Sequence, residues 1–170
     1  STFFHACLPA LINAKFNRTN ALFVILDNSV TAMTGFQENP ASPFTHSGQI
    51  KIPILVEDIA RSLNIKVTVL DPIKNLNKAI ESIYKELQED GVKIIVFRRI
   101  CATFEARRLT SGQRIRKAKI DPEKCIGEKC GQGSFTSRLL GCPGIHLDKE
   151  RQKAYILEAS CNGCGLCVQL

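Results

Sequence analysis

The sequence predicts an α/β fold, a parallel sheet with helices on both faces, followed by a small α+β module rich in cysteine. Two observations lead to this prediction. Over the first 100 residues, short apolar runs alternate with amphipathic helical patterns, which is the order typical of a parallel sheet. Beyond them the periodic patterns shorten, and six of the eight cysteines fall in the last 46 residues. Apolar residues make up 44% of the 170-residue chain, enough to bury a core.

The elements of the first part follow from hydrophobic periodicity and from the residues that flank each pattern. Apolar residues at helical spacing predict helices, and continuous apolar runs that end in polar turns predict buried strands. Glycine at position 91 is placed to close the third helix. In chain order, the predicted elements are a helix around Leu8–Phe16, a strand Ala21–Leu26, a helix from about Pro53, a strand Val67–Leu70, a helix Leu76–Leu87 and a strand Val92–Phe97.

A polar loop follows the first strand and is a candidate cofactor site. It begins with Asp27, Asn28 and Ser29 and extends to about Ile52. Open α/β sheets bind cofactors at the carboxyl ends of their strands. An asparagine side chain and a backbone carbonyl are hard oxygen ligands that suit Mg²⁺ held against a diphosphate. The alternative is an ordinary turn, since Asp, Asn and Ser are common turn residues.

The cysteines near the end of the chain predict an iron–sulfur cluster. Cys161, Cys164 and Cys167 form a C-x2-C-x2-C pattern, and Cys142 precedes Pro143. Bacterial-type ferredoxins take three thiolates from such a turn and the fourth from a Cys-Pro pair elsewhere. We therefore predict one [4Fe-4S] cluster on these four cysteines. Zinc and disulfides are the alternatives, and the spacing favours neither.

A second cluster would be incomplete in this chain. Cys125 and Cys130 are two of its expected ligands, but Glu128 stands where a ferredoxin has its next cysteine. The fourth ligand of this cluster, expected from a second Cys-Pro pair, would come just after Leu170. Apolar residues at 145–147 and 154–157 flank a charged turn and predict a small hairpin in the same module.

Charge and hydropathy argue against a membrane protein and against a nucleic-acid-binding protein. The net charge is +7, and no apolar run is long enough to span a bilayer. We therefore expect a soluble, cytoplasmic protein that binds neither membrane nor nucleic acid. The basic excess favours contact with another protein over nucleic acid, because aromatic residues do not interleave with the charges. The basic residues concerned are Arg98, Arg99, Arg107, Arg108, Arg114, Arg116, Lys117 and Lys119.

Several segments together resemble a known family, the thiamine-diphosphate-dependent 2-oxoacid ferredoxin oxidoreductases. The resemblance is to the C-terminal part of the alpha subunit of indolepyruvate ferredoxin oxidoreductases and covers essentially the whole chain. It divides the chain into a thiamine-diphosphate-binding domain (1–100), a basic linker (101–119) and a [4Fe-4S] ferredoxin-type domain (120–170), with both domains truncated at the outer ends. The segments that carry it are Ser1–His5, Pro9–Ala14, Val24–Gly35, Val69–Pro72, Phe97–Arg99 and Cys101–Ala102.

The resemblance implies thiamine diphosphate, Mg²⁺ and a [4Fe-4S] cluster as cofactors. It assigns Asn28 and the backbone carbonyl of Val30 to Mg²⁺. It places Thr31, Thr34 and Gly35 along the diphosphate and thiazolium. His5 is a candidate for the same pocket, and a histidine that serves only the start of a helix is the alternative. The family's Gly-Asp pair would precede Ser1, and the Glu that activates the cofactor lies outside these residues, so the catalytic residues are unknown.

The resemblance also implies the reaction and the partners. The expected enzyme oxidatively decarboxylates aryl pyruvates such as indolepyruvate to aryl-acetyl-coenzyme A and passes electrons through iron–sulfur clusters to ferredoxin. Its partners would be a beta subunit, ferredoxin, the 2-oxoacid and coenzyme A. The alternatives are an oxidoreductase for another 2-oxoacid and a non-catalytic iron–sulfur electron-transfer protein.

Overall fold

The computed structural model describes residues 2–43, 47, 49, 52–108, 115–130 and 141–168. The chain divides into two compact units, Ser1–Phe104 and Glu105–Leu170. The predicted domain limits at 100 and 119 differ from this division and stay a prediction. Within the described ranges, no helix is long and apolar enough to cross a membrane.

The first unit contains a three-stranded parallel sheet. Its strands are β1 (Ala21–Asp27), β2 (Lys66–Leu70) and β3 (Val92–Arg98), in the order β1-β3-β2. The register pairs Ala21 with Val92 at one end and Asp27 with Arg98 at the other. The carboxyl ends of all three strands therefore lie at one edge of the sheet, and the prediction of an α/β fold with a parallel sheet is confirmed.

Four α-helices are described, and they differ from the sequence prediction at two places. The helix predicted from about Pro53 begins at residue 56, because the N–H of Ile54 donates to the carbonyl of Pro40 (2.8 Å) and residue 55 is extended. The fourth helix lies in the stretch that the sequence assigns to a linker. The helices are α1 (Leu8–Phe16), α2 (Val56–Ser62), α3 (Leu76–Gln88) and α4 (Ala102–Arg108), with a π-helical turn at Phe3–Cys7 before α1.

Helices cover both faces of the sheet. Ile94 and Val96 on β3 belong to one buried cluster with Leu11 of α1 and Ala60 of α2. Ile95 points to the opposite face because side chains alternate along a strand. The residue paired with it, Thr68, shares that face and donates to Glu86 of α3 (3.3 Å). The helices α1 and α2 thus pack on one side of the sheet and α3 on the other.

The second unit has little regular structure. The predicted hairpin is present as β4 (Ile145–Asp148) and β5 (Lys153–Ile156), which pair antiparallel. Short 3-10 turns lie at Gly127–Cys130 and Leu166–Val168. Gly127 has φ +67°, and a Cβ there would lie 2.1 Å from the carbonyl oxygen of Gln152. A side chain at position 127 would force this turn away from the hairpin.

Candidate functional site

The loop that follows β1, residues 28–35 and hereafter the strand-end loop, begins in two side-chain-stabilised turns. A carboxylate oxygen of Asp27 accepts from the N–H of Ser29 (3.0 Å), and the amide oxygen of Asn28 accepts from the N–H of Val30 (3.3 Å). The chain after β3 fixes the same residues from the other side, since Cys101 donates its N–H to the carbonyl of Asn28 (3.1 Å). The candidate metal ligand Asn28 therefore lies where β1 and β3 end.

The middle of the strand-end loop is held by hydrogen bonds to Gln37, two residues beyond its end. The N–H of Thr31 donates to the carbonyl of Gln37 (2.8 Å), and the hydroxyl of Thr34 donates to the side-chain oxygen of Gln37 (2.6 Å). Gly35 adopts φ +119°, which favours glycine. The hydroxyl of Thr34, predicted to line the diphosphate, thus donates its proton to Gln37. Its two lone pairs still allow it to accept hydrogen bonds.

A cavity of about 350 Å³ lies along β1 and reaches Asn28. Phe3 and Phe4 line it together with Asp27 and Asn28. The other predicted cofactor contacts are placed differently: Val30 is buried and His5 is exposed in the π-helical turn. The residues lining the cavity do not include His5, Val30, Thr31, Thr34 or Gly35.

An ion-paired network lies beneath the strand-end loop. The guanidinium of Arg98 donates its Nε–H to Asp27 (2.8 Å) and two further N–H groups to both oxygens of Glu57 (2.7 Å each). These hydrogen bonds hold the pKa of Glu57 below its ordinary value, and the pairing with Glu57 and Asp27 raises the pKa of Arg98. Arg99 pairs in turn with Asp71 at the end of β2 (2.9 Å). Two cations of the basic segment are therefore bound to carboxylates within the first unit.

Sequence reasoning did not assign this network a role. Asp27 and Arg98 are separated by 71 residues, and Glu57 lies 41 residues before Arg98. One signal was available, because Asp27 and Arg98 each follow an apolar run at the predicted end of a parallel strand. Opposite charges at the carboxyl ends of two strands meet if the strands are neighbours, and here they are paired in register.

The four cysteines predicted to hold a cluster lie close enough together to influence one another. Burial raises the pKa of the Cys167 thiol, and the neighbouring Cys142, Cys164 and Cys161 raise it further. All four are free and half-buried. Among the described residues, no three His, Cys, Asp or Glu side chains form a group that could hold a single metal ion.

The backbone brings the two cysteine segments together. A Cβ on Gly144, two residues after Cys142, would lie 3.3 Å from the Cα of Cys161. Gly163 has φ +68°, and a Cβ there would approach Ile115 to 2.1 Å. The C-x2-C-x2-C turn can therefore pack closely against residues 115–116 only with glycine at position 163.

The remaining candidate ligands, Cys125 and Cys130, lie near the hairpin. The Sγ of Cys125 accepts from the N–H of Ala154 (3.2 Å), and this hydrogen bond leads the effects that lower the pKa of the Cys125 thiol. Lys153 donates to the carbonyl of Cys125 (2.6 Å). Cys130 ends a 3-10 turn, and its side chain, like that of Glu128, is outside what the structure describes.

The donor sets match the chemistry of the groups that the resemblance implies. Asn28 and Val30 offer a side-chain and a backbone carbonyl oxygen, the hard donors that Mg²⁺ takes. The amide oxygen of Asn28 has two lone pairs, and the Val30 N–H occupies one. The four thiols are the donor type that would hold a [4Fe-4S] cluster.

Comparisons with known proteins find similar sequences along the whole chain. Residues 1–97 match the family described as thiamine pyrophosphate enzyme, C-terminal TPP binding domain. Curated relatives named indolepyruvate oxidoreductase subunit IorA are 41% identical in Pyrococcus horikoshii, 40% in Thermococcus kodakarensis and 35% in Archaeoglobus fulgidus. Each match covers 100% of this chain and 26% of the relative. The resemblance found in the sequence is confirmed.

Proposed function

Because the chain belongs to the thiamine pyrophosphate enzymes through their C-terminal cofactor-binding domain, we propose that it is part of an indolepyruvate ferredoxin oxidoreductase. The observation that carries the proposal is the start of the strand-end loop, where Asn28 lies at the carboxyl edge of a parallel sheet and lines a cavity. The reaction proposed is the oxidative decarboxylation of an aryl pyruvate to an aryl-acetyl-coenzyme A.

In this proposal the strand-end loop holds the diphosphate end of the cofactor. Asn28 and the Val30 carbonyl bind Mg²⁺, and Thr31, Thr34 and Gly35 face the diphosphate and thiazolium. Thiamine diphosphate supplies the carbanion stabilisation that decarboxylation of a 2-oxoacid needs. Phe3 and Phe4 contribute apolar, aromatic side chains to the lining of the neighbouring cavity, which favours an aromatic substrate. His5 remains a candidate contact in the π-helical turn.

The second unit is proposed to carry electrons away from this site. Cys142, Cys161, Cys164 and Cys167 would hold one [4Fe-4S] cluster, with Cys125 and Cys130 as an incomplete second set. The grouping of the first four thiols supports this assignment. The proposed partners are a beta subunit, ferredoxin, the 2-oxoacid and coenzyme A, in the cytoplasm.

Two other functions remain candidates. An oxidoreductase for a different 2-oxoacid would use the same loop and cluster and differ in the lining of the cavity. A non-catalytic iron–sulfur electron-transfer protein is favoured only by the cysteine-rich second unit. Binding of thiamine diphosphate by the first unit separates this last candidate from the enzyme.

The test is a calorimetric titration of the protein with thiamine diphosphate in the presence of Mg²⁺. We expect Asn28→Ala to weaken binding by about tenfold, the effect of losing one ligand or charge-assisted contact, with the melting temperature little changed. Asn75→Ala is a matched control, because Asn75 also bonds a backbone N–H, that of Lys78 (2.9 Å), but caps α3. Equal affinity for Asn28→Ala and the control would remove Asn28 from the proposed site.

A further inference from the structure

One guanidinium group connects three elements at the carboxyl edge of the sheet. Arg98 is the last residue of β3, Asp27 is the last of β1, and Glu57 lies in the first turn of α2. Both carboxylate side chains are 9% exposed, while that of Arg98 is 29% exposed. The three hydrogen bonds from Arg98 measure 2.7–2.8 Å and include both oxygens of Glu57. Such a paired, planar arrangement fixes the orientation of each partner.

The same network continues into the strand-end loop through Asp27. One oxygen of this carboxylate accepts from Arg98, and the other accepts from the N–H of Ser29. Ser29 adopts φ +64°, a left-handed conformation that a non-glycine residue holds only when its surroundings enforce it. Its carbonyl accepts from the buried hydroxyl of Ser42 (2.6 Å). The orientation of the Ser29 peptide thus depends on Asp27, and that of Asp27 on Arg98.

We propose that Arg98 is a positioning residue that, through Asp27 and Ser29, sets the direction in which Asn28 and Val30 present their oxygens. The inference rests on the proposed function, because it assigns these oxygens to a magnesium–diphosphate group. Asn28 and Val30 flank Ser29 directly, so a rotation of the Ser29 peptide moves both of them. Arg98 itself binds no cofactor in this proposal.

Geometry, rather than charge, is the contribution expected of Arg98. Two carboxylates face its single positive charge, so little of that charge is left to attract a diphosphate. A lysine at position 98 would keep the charge but could not bond both oxygens of Glu57 and Asp27 in one plane. Arg98→Lys should therefore resemble Arg98→Met more than it resembles the unsubstituted protein.

The experiment compares Arg98→Met and Arg98→Lys with Lys66→Met. Lys66 is a matched control, because this cation also bridges two carboxylates, Glu86 (3.0 Å) and Glu89 (2.5 Å), at the other end of the same sheet. Two readouts are taken on the whole protein: amide hydrogen exchange at residues 29 and 30 without ligand, and the affinity for thiamine diphosphate with Mg²⁺. The double variant Arg98→Met with Glu57→Gln removes one uncompensated carboxylate and is used if Arg98→Met does not fold.

In both Arg98 variants we expect amide exchange at residues 29 and 30 to accelerate, and the affinity for thiamine diphosphate to fall, by about tenfold or more. We expect Lys66→Met to change neither the exchange nor the affinity. Exchange equal to that of Lys66→Met would overturn the proposal, and so would faster exchange with unchanged affinity. If the unsubstituted protein binds no thiamine diphosphate, the proposed function fails. The exchange data then still decide whether Arg98 holds the loop.

Discussion

Eleven of the twelve buried apolar residues in the described part of the chain belong to the first unit, and Ile145 alone belongs to the second. The first unit can therefore be stabilised by burial, since its core joins β3 to α1 and α2. The second unit has one hairpin of two four-residue strands. An isolated two-stranded hairpin is marginally stable in water.

The difference indicates two ways of building a functional site. In the first unit, the sheet is packed by its own side chains. The strand-end loop is held by hydrogen bonds to Asp27 at the end of β1 and to Cys101 after β3. In the second unit, the segments that carry Cys142 and Cys161 lie against each other, and few apolar residues are buried. We therefore expect the fold of this unit to depend on what its cysteines bind. Small domains with few buried residues commonly gain their stability from a metal site.

The largest expected effect concerns this dependence on a cluster. Anaerobic reconstitution should give about four irons and four sulfides per chain, and Cys164→Ala should remove most of both because the set then has three thiolates. Amide protection in the second unit should disappear with the cluster while that of the first unit remains. Chemical analysis of iron and sulfide and hydrogen exchange measure these outcomes.

The matched control for that prediction is Cys125→Ala, which should change the iron content little. Cys125 belongs to the incomplete set, and its Sγ accepts a hydrogen bond from Ala154. A yield near eight irons per chain, the content of two such clusters, would mean that the second set recruits further ligands. If amide protection in the second unit survives the loss of iron, the fold of that unit does not depend on a cluster, and the two units do not differ in this respect.

The next effect tests the packed core of the first unit. Ile94 is 1% exposed at the centre of the cluster, and Ile94→Ala should lower the free energy of unfolding of this unit by about 2–5 kcal/mol. Leu87→Ala on α3, where the side chain is 57% exposed, should cost less than about 1 kcal/mol. The chain has two tyrosines and no tryptophan, so Tyr84 reports on this unit in a Tyr155→Phe background.

The iron content decides how this result bears on the comparison. Because Ile94 lies in the first unit, we expect the cluster of the second unit to load normally in Ile94→Ala. Loss of iron in parallel with the loss of stability would show that the two units unfold together. The stability of the second unit would then have a source other than its own ligands.

The strands of the first unit could be predicted because each is a short, mostly apolar run with a polar or glycine boundary, interrupted only by Thr68 in β2 and Lys93 in β3. The hairpin was equally visible, since its apolar positions flank a charged turn. Neither the π-helical turn at Phe3–Cys7 nor α4 has such a signal. The start of α2 was missed because the bond between Ile54 and Pro40 joins residues that local periodicity does not relate.

The position of the candidate site along the chain was predictable, but the hydrogen bonds that arrange its residues were not. The end of β1 indicated Asn28, and cysteine spacing indicated the thiol set, because both depend on neighbours in the sequence. The hold of Arg98 on Asp27 depends on the register of two strands, which the sequence does not state. The position of His5, a candidate for the cofactor pocket, likewise depends on a π-helical turn that no residue pattern predicted.

The smallest effect is the pH dependence of the Arg98 network. Hydrogen bonds from Arg98 lower the pKa of Glu57 below 4.5, the effect of burial being opposite and smaller. The unfolded chain therefore binds this proton more readily than the folded one. The stabilisation is fully present above about pH 4.5 and is lost as the pH falls through the lowered folded pKa.

Glu57→Gln isolates this contribution. At pH 7 the variant should be less stable than the unsubstituted protein by less than about 1 kcal/mol, because solvent reaches Arg98 and screens the pair. The difference should shrink as the pH falls below 4.5 and Glu57 is protonated in the unsubstituted protein. Urea denaturation followed through Tyr84 in the Tyr155→Phe background measures it for the first unit alone. A difference that stays constant from pH 6 to pH 3 would mean that Glu57 acts through packing rather than through its charge, since only the charge titrates in that range.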